Sequence, residues 1–256
     1  MSYFAISARS AVGLVRSGNE DSALASSRIV AVADGMGGHA AGEVASKIAV
    51  TTLSELIPVI INPEIDAESA DDIYLNSFQE IDGAIKLAVD ENPQLTGMGT
   101  TLSSLFLRGE KVALLHVGDS RVYRLRGNSL EQLSVDHTVI QELLSQGAIS
   151  ESDISNHPQR SVLTQVLMGE GNLELPLPVF DTKLKDRYLL CSDGLSTVLS
   201  DKEIKSLLKE KDRDHAVNAL IDATYINGAP DNVTVVIADL VEDVQPSDIQ
   251  KFGAAS

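Results

Sequence analysis

Four aspartates stand where strand-like apolar runs meet turns. Asp34 closes "RIVAVAD" and opens the glycine-rich part of "VADGMGGHAAGEVAS", which runs from Val32 to Ser46. Asp119 follows "KVALLHVG" in "HVGDSR", Asp193 follows "RYLLC" in "CSDG", and Asp231 precedes a further apolar run in "APDNVTV". Neighbouring antiparallel strands run in opposite directions, so the exits of some share an edge with the entrances of others. Four carboxylates far apart in sequence can therefore meet at one rim. "RSGNED" adds Glu20 and Asp21 in an early loop. Crowded carboxylates repel and hold their protons, a cost that divalent cations remove. An all-oxygen set with no paired His or Cys favours Mg2+ or Mn2+ over Zn2+. Two such ions roughly 3.5–4 Å apart share an activated water and clamp a phosphoryl group. In that arrangement Asp34 bridges the ions and Gly35 lends its backbone carbonyl to one. The amide end of a helix starting near Ala40 then faces the acidic cluster. Glycine packs nothing and costs entropy, so its abundance after Asp34 implies a close backbone approach. An Asp-Gly pair is also an ordinary turn. Spacing alone leaves the turn and the metal cluster both open.

Elements that would position these residues alternate along the chain. "YFAISARSAVGLVRS" reads as a strand pair turning at Gly13, and "RIVAVAD" as a buried strand. From about Ala41, residues Ala45, Ile48, Ala49, Leu53 and Leu56 share one helical face, and Pro58 closes the helix. Residues 63–72 read as an acidic loop. Tyr74, Phe78, Ile81, Ile85 and Ala88 form the stripe of a second helix. Strands follow in "TTLSSLFL", "KVALLHVG" and "RVYRLRG", the third turning back into "SLEQL". "TVIQELLSQGAI" predicts a short helix, "RYLLCSDG" a strand, "DKEIKSLLKE" and "DHAVNALIDATYI" helices, and "DNVTVVIADL" a last strand. Ser150 to Pro178 is mixed and suits a mobile flap. The tail after Leu240 is expected to fray. Consecutive strands between helix pairs do not suit a parallel βαβ sheet. They suit an α+β fold, with antiparallel sheets packed together and covered by helices. No repeat or linker divides the chain.

Composition narrows the function classes. Hydrophobic residues make up 43% of the 256, enough to fill a core. A net charge of -17 disfavours nucleic acid and anionic membrane surfaces, both of which recruit Lys and Arg. Cys191 is the one cysteine, so no internal disulfide forms and a reducing compartment fits. The opening "MSYFAISARSAVGLVRSGNED" lacks the layout of a signal peptide, and "LIPVII" is too short to span a bilayer. A cytoplasmic protein is expected.

Seven motifs in order carry a resemblance: "RSGNED", "VADGMGGHAAGEVAS", "GMGTTL", "HVGDSR", "HPQRS", "RYLLCSDGL" and "PDNVTVV". Together they resemble the bacterial branch of the protein phosphatase 2C family, the metal-dependent serine/threonine phosphatases. The likeness spans roughly residues 5 to 240. It implies an α/β/β/α four-layer sandwich in which residues 1–240 form the catalytic domain, with a flap at about 136–172 and a short flexible tail at 241–256. It implies that Asp34, Asp193, Asp231 and the Gly35 carbonyl bind two Mn2+ or Mg2+ ions. Glu20 and Asp21 would hold metal-bound waters, and Asp119 with Asp193 matches a third-metal site. Arg16 matches the arginine that binds substrate phosphate, and Asn232 orders the site. His137, His157 and Arg160 fall in the flap. Animal members place a histidine straight after the Asp-Gly as general acid. Here that position is Met36, with His39 three residues on, so a metal-bound water or a flap histidine is left for the role.

The implied reaction is direct hydrolysis of phosphoserine or phosphothreonine by a bridging water or hydroxide. Arg16 and the ions would neutralise the phosphoryl oxygens. The implied partners are phosphorylated proteins, including a cognate serine/threonine kinase and its substrates, met by a cytoplasmic monomer. A cysteine phosphatase needs an arginine six residues after its nucleophile, and six after Cys191 stands Thr197. "GMGGHA" also fits a dinucleotide-binding pattern, but Glu55, at the distance of the required acid, lies in a helical pattern. "GDS" with "DRDH" suggests a serine esterase that leaves Asp34, Asp193 and Asp231 unexplained. A pseudophosphatase would lack a metal-binding aspartate, and none is missing.

Overall fold

In the computed structural model, residues 2–37, 41–150, 153–154, 157–171, 173–242 and 248–256 are described. The first half runs β1 (Ser2–Ala11), β2 (Asp21–Ala25), β3 (Ile29–Met36), α1 (Ala41–Ile60), α2 (Ala67–Glu91) and a 3-10 turn at Pro93–Leu95. Then come β4 (Gly99–Thr100), β5 (Leu102–Arg108), β6 (Lys111–Val117), β7 (Arg121–Arg126), β8 (Ser129–Gln132) and α3 (Val139–Ser145). The chain finishes with β9 (Val179–Asp181), β10 (Arg187–Cys191), α4 (Asp193–Ser196), α5 (Asp201–Leu208), α6 (Arg213–Ile226), β11 (Val233–Glu242) and β12 (Gln250–Gly253).

Two antiparallel sheets result. One is ordered β1-β11-β10-β7-β8; the other runs β12-β2-β3-β5-β6-β9, with β4 paired to β3. Side chains alternate across each strand, and the layers follow from that alternation. On β3, Val30 and Val32 point into the core between the sheets, beside Phe4, Leu105, Leu114, Tyr188 and Val236. Ile29, Ala31 and Ala33 point the other way, to Ala45, Ala49 and Leu53 of α1 and Tyr74, Phe78, Ile81 and Ile85 of α2. On β11, Val233, Val235 and Ile237 face Leu195, Ile204, Leu220 and Ile221 of α4–α6. The layers are therefore helix, sheet, sheet, helix, the expected α+β sandwich. Among the described residues no helix is long and apolar enough to cross a membrane.

Four local expectations change. β1 does not fold back at Gly13; its whole length pairs with β11, from Ser2↔Glu242 to Ala11↔Val233. A partner over two hundred residues away displaces the local hairpin. Asp21 is the first residue of a strand rather than part of a loop, paired across from Asp34. The acidic stretch at 63–72 is half helix: Asp66 caps α2 by accepting the amides of Glu68 and Ser69, a favourable use of a carboxylate at a helix start. The tail does not fray throughout, since β12 pairs with β2 from Gln250↔Ala25 to Gly253↔Ser22.

Candidate functional site

An open cleft of about 410 Å³ lies where strand ends of both sheets meet. Asp34 reaches it from the end of β3, Asp119 from the turn after β6, Asp193 from the first residue of α4, and Asp231 from the approach to β11. Arg16, Glu20, Gly35 and Met36 complete that side. The four strand-end aspartates thus line one cleft, one of the two arrangements their spacing leaves open.

Hydrogen bonds fix each carrier. The Asp34 amide donates to Thr101 Oγ1 (3.0 Å), and the Asp34 carbonyl accepts from the Thr101 amide (2.9 Å) and Thr100 Oγ1 (3.0 Å). Thr101 Oγ1 also meets Ser120 Oγ at 2.8 Å, tying β3 to the turn that carries Asp119. Asn232 gathers the loop before β2: its Oδ1 accepts the Glu20 amide (2.8 Å), and its Nδ2 donates to the carbonyls of Val12 (2.9 Å) and Gly18 (2.8 Å). The glycine question from the sequence resolves at Gly35. A β-carbon there would lie 2.0 Å from the Gly42 carbonyl oxygen and 2.6 Å from that of Glu20. Gly35 therefore lets the start of α1 and the Glu20 loop press against β3.

Charge is concentrated and poorly solvated. Burial, followed by Asp21, Asp193, Asp119 and Asp231, pushes the Asp34 carboxyl well above the usual range. Asp193 is also raised, by burial and then Asp231. Asp119 is raised to about 7 by burial, then by Asp193 and Asp136. Asp21 is fully buried and also raised to about 7, first by burial. Its Oδ2 accepts from Ser192 Oγ at 2.7 Å, while its Oδ1 is buried with no hydrogen-bond partner. Arg16 Nη2 donates to Asp231 Oδ2 at 2.6 Å, and Arg16 Nη1 lies 3.9 Å from Glu20 Oε2. Among the described residues no three His, Cys, Asp or Glu side chains already stand in ligating positions around one point. The donor chemistry nevertheless fits hard divalent cations: the acids are all carboxylates, burial and crowding raise Asp34, Asp119 and Asp193, and one buried oxygen of Asp21 lacks a hydrogen-bond partner.

The flap candidates behave differently. Ser161 and Leu163 line the cleft, whereas His137, His157 and Arg160 do not. His137 packs beside the turn that carries Asp119. Its Nδ1 accepts the Gly118 amide at 3.1 Å, and its ring stacks on His116 with centroids 4.9 Å apart. His157 Nδ1 accepts the Gln159 amide at 3.2 Å inside a local turn, and the Arg160 amide donates to the His157 carbonyl. His39 lies outside the described residues. Thr100, Thr101, Ser120 and Ser192 hold the site but escaped sequence reasoning. Their one signal was adjacency, since "GTTL", "GDS" and "CSD" each set a hydroxyl beside an acid or a turn. Cys191 is fully buried among apolar neighbours, with its thiol pushed up to about 12 by burial, as befits a packing residue.

Comparison with known proteins places this geometry. A family profile described as protein phosphatase 2C matches residues 18–223. The serine/threonine protein phosphatase PstP of Mycobacterium tuberculosis is 42% identical over 238 residues, 92% of this chain. The chain spans 45% of the length of that relative. The serine/threonine phosphatase stp of Listeria welshimeri is 39% identical over 213 residues, 82% of this chain and 84% of its own. A crystal structure of the PstP catalytic domain in complex with two manganese ions superposes with a TM-score of 0.86 at 38% identity, covering 94% of this chain and 100% of that one. Sequence, fold and cleft thus agree, and the chain belongs to the protein phosphatase 2C family.

Proposed function

We propose that this chain is a metal-dependent protein serine/threonine phosphatase that hydrolyses phosphoserine and phosphothreonine in phosphoproteins. The carrying observation is the gathering of Asp34, Asp119, Asp193 and Asp231 at one cleft, backed by the buried Asp21 with its unpartnered oxygen. Asp34, Asp193, Asp231 and the Gly35 carbonyl would hold two Mn2+ or Mg2+ ions. Asp119 with Asp193 offers room for a third. When bound, such ions acidify water and neutralise phosphoryl oxygens. The manganese-bound PstP domain supports this assignment.

The chain's own residues supply orientation and charge. Arg16 is half exposed at the mouth and already bonded to an acid of the cleft, so it is placed to turn its guanidinium to a phosphate. Glu20 and Asp21 would orient water at the ions, with Asp21 fixed by Ser192. Asn232 keeps the Arg16–Glu20 loop in register with Asp231. No described histidine lines the cleft, and Met36 does, at 37% exposure. Water in the open cleft would suit protonation of the leaving alkoxide. The physiological role we infer is reversal of a cognate serine/threonine kinase by a cytoplasmic monomer. The single cysteine is buried as a free thiol, which suits a reducing compartment.

A manganese-titrated assay on a phosphothreonine peptide and an aryl phosphate tests the proposal. Asp193→Asn is expected to lose at least about a hundredfold in turnover of both, about 2.7 kcal/mol of barrier, with an unchanged circular dichroism spectrum. Wild-type turnover by that variant, or turnover indifferent to chelators, would overturn it.

A further inference from the structure

The C-terminal residues lie against the strand that carries Asp21. β12 forms the outer edge of its sheet beside β2. Just past the strand, the Ala254 amide donates to the Asp21 carbonyl at 2.8 Å. Gly253 sits at φ +70, with its α-carbon pressed on the same peptide. A β-carbon there would lie 2.2 Å from the Asp21 carbonyl oxygen and 2.9 Å from Ser10 Oγ. The other side of the Asp21 peptide is held too. Its amide donates to Asn19 Oδ1 at 3.2 Å, and Asn19 Nδ2 donates to Ser10 Oγ at 2.7 Å. The clasp is anchored on both faces of the sheet. Phe252 packs on the core between the sheets, and Ala255 packs on the core under α1 and α2.

We propose that β12 is a clip that fixes the main chain of Asp21 and thereby sets the affinity of the acidic cleft for divalent cations. Gly253 and Ala254 are its positioning residues. This rests on the metal reading above. Asp21 is fully buried, and its carboxyl accepts from Ser192 Oγ. Without β12, β2 would be an open sheet edge and the Asp21 carbonyl would lose the Ala254 donor. Small displacements of a group supporting a metal site are costly, since such partners typically govern 10- to 100-fold in affinity.

The test is Mn2+ binding by titration calorimetry, with thermal melting alongside. A chain ending at Asp248 is expected to bind Mn2+ roughly tenfold more weakly. A synthetic peptide of residues 249–256 added in trans is expected to restore affinity. Gly253→Ala in the full chain is expected to weaken binding similarly, because one methyl displaces the Asp21 peptide. Lys251→Ala, on the same strand, is expected to change nothing. If the shortened chain fails to fold, Gly253→Ala decides. A lower melting temperature with Mn2+ affinity within twofold of wild type would make β12 ordinary structural support and overturn the clip. Absence of Mn2+ binding by the wild type would instead overturn the metal reading, and the clip with it.

Discussion

The floor of the cleft and the flap beside it are built on different principles. On the floor, every acidic residue sits at or next to a strand end, and the strands are locked by ladders reaching across the chain. Asp34 alone has its amide and carbonyl engaged by two threonines of another segment. In the flap, the described residues include local turns, as in the Ser150–Asp153 and His157–Gln159 contacts. Its described attachments include the Val139 amide on the Val162 carbonyl and the Thr164 amide on the His137 carbonyl. Thr138 bridges Leu163 and Thr100 bridges Leu167. At its far root, Asp82 of α2 accepts the amides of Met168 (3.0 Å), Gly169 (2.7 Å) and Gly171 (2.7 Å). Groups that must act together are mounted on rigid sheets, while a loop segment carried by such a scaffold suits recognition.

The sharpest way to break this contrast is to damage the floor. Asp34→Asn should cost at least about a hundredfold in kcat on peptide and aryl phosphate alike; steady-state kinetics on both would show whether the loss is indifferent to substrate size. Arg16→Ala should chiefly raise KM, roughly tenfold, because it binds phosphate in ground and transition states alike. A loss confined to kcat would contradict that role. Asp82→Ala leaves three amides at the flap root without their acceptor. It should lower stability by about 1–3 kcal/mol, measured by urea denaturation, and reduce peptide turnover more than aryl phosphate turnover.

Acidity gives a smaller but directional effect. Asp21 and Asp119 are raised to about 7 in the fold, against about 3.9 in an unfolded chain. Such groups favour the folded state most below the unfolded value, and that contribution is lost as pH rises through the folded value. The chelator-treated protein should therefore melt lower at pH 8 than at pH 5, and added Mn2+ should narrow the gap. A metal-free melting curve flat across that window would contradict the crowding. Least of all, His157→Ala should change aryl phosphate turnover by less than about twofold, since its ring serves a local turn.

Much of the architecture was legible because burial imposes periods. The stripes of α1 and α2 and the apolar runs of β3, β5, β6, β10 and β11 read directly as core-facing elements. The four strand-end aspartates were legible for the same reason, since each ends or precedes such a run. What escaped were features set by distant partners. β1 passes straight through its apparent hairpin to reach β11, and β12 finds the edge of β2. His137 lies in the flap segment yet is claimed by Gly118 and His116. The hydroxyls of Thr100, Thr101 and Ser192 look like any polar residue until the acids they hold are in place.

The order of residues by itself determined which groups carry charge, which runs must be buried, and that the acids sit at element ends. Those follow from local chemistry and from the periods of helix and strand. Only the tertiary structure decided that Asp21 is buried with one oxygen unpaired, that Arg16 meets Asp231, and that the tail closes on β2. Each depends on a contact between segments far apart in the chain, and such contacts form only when the two sheets pack as one core.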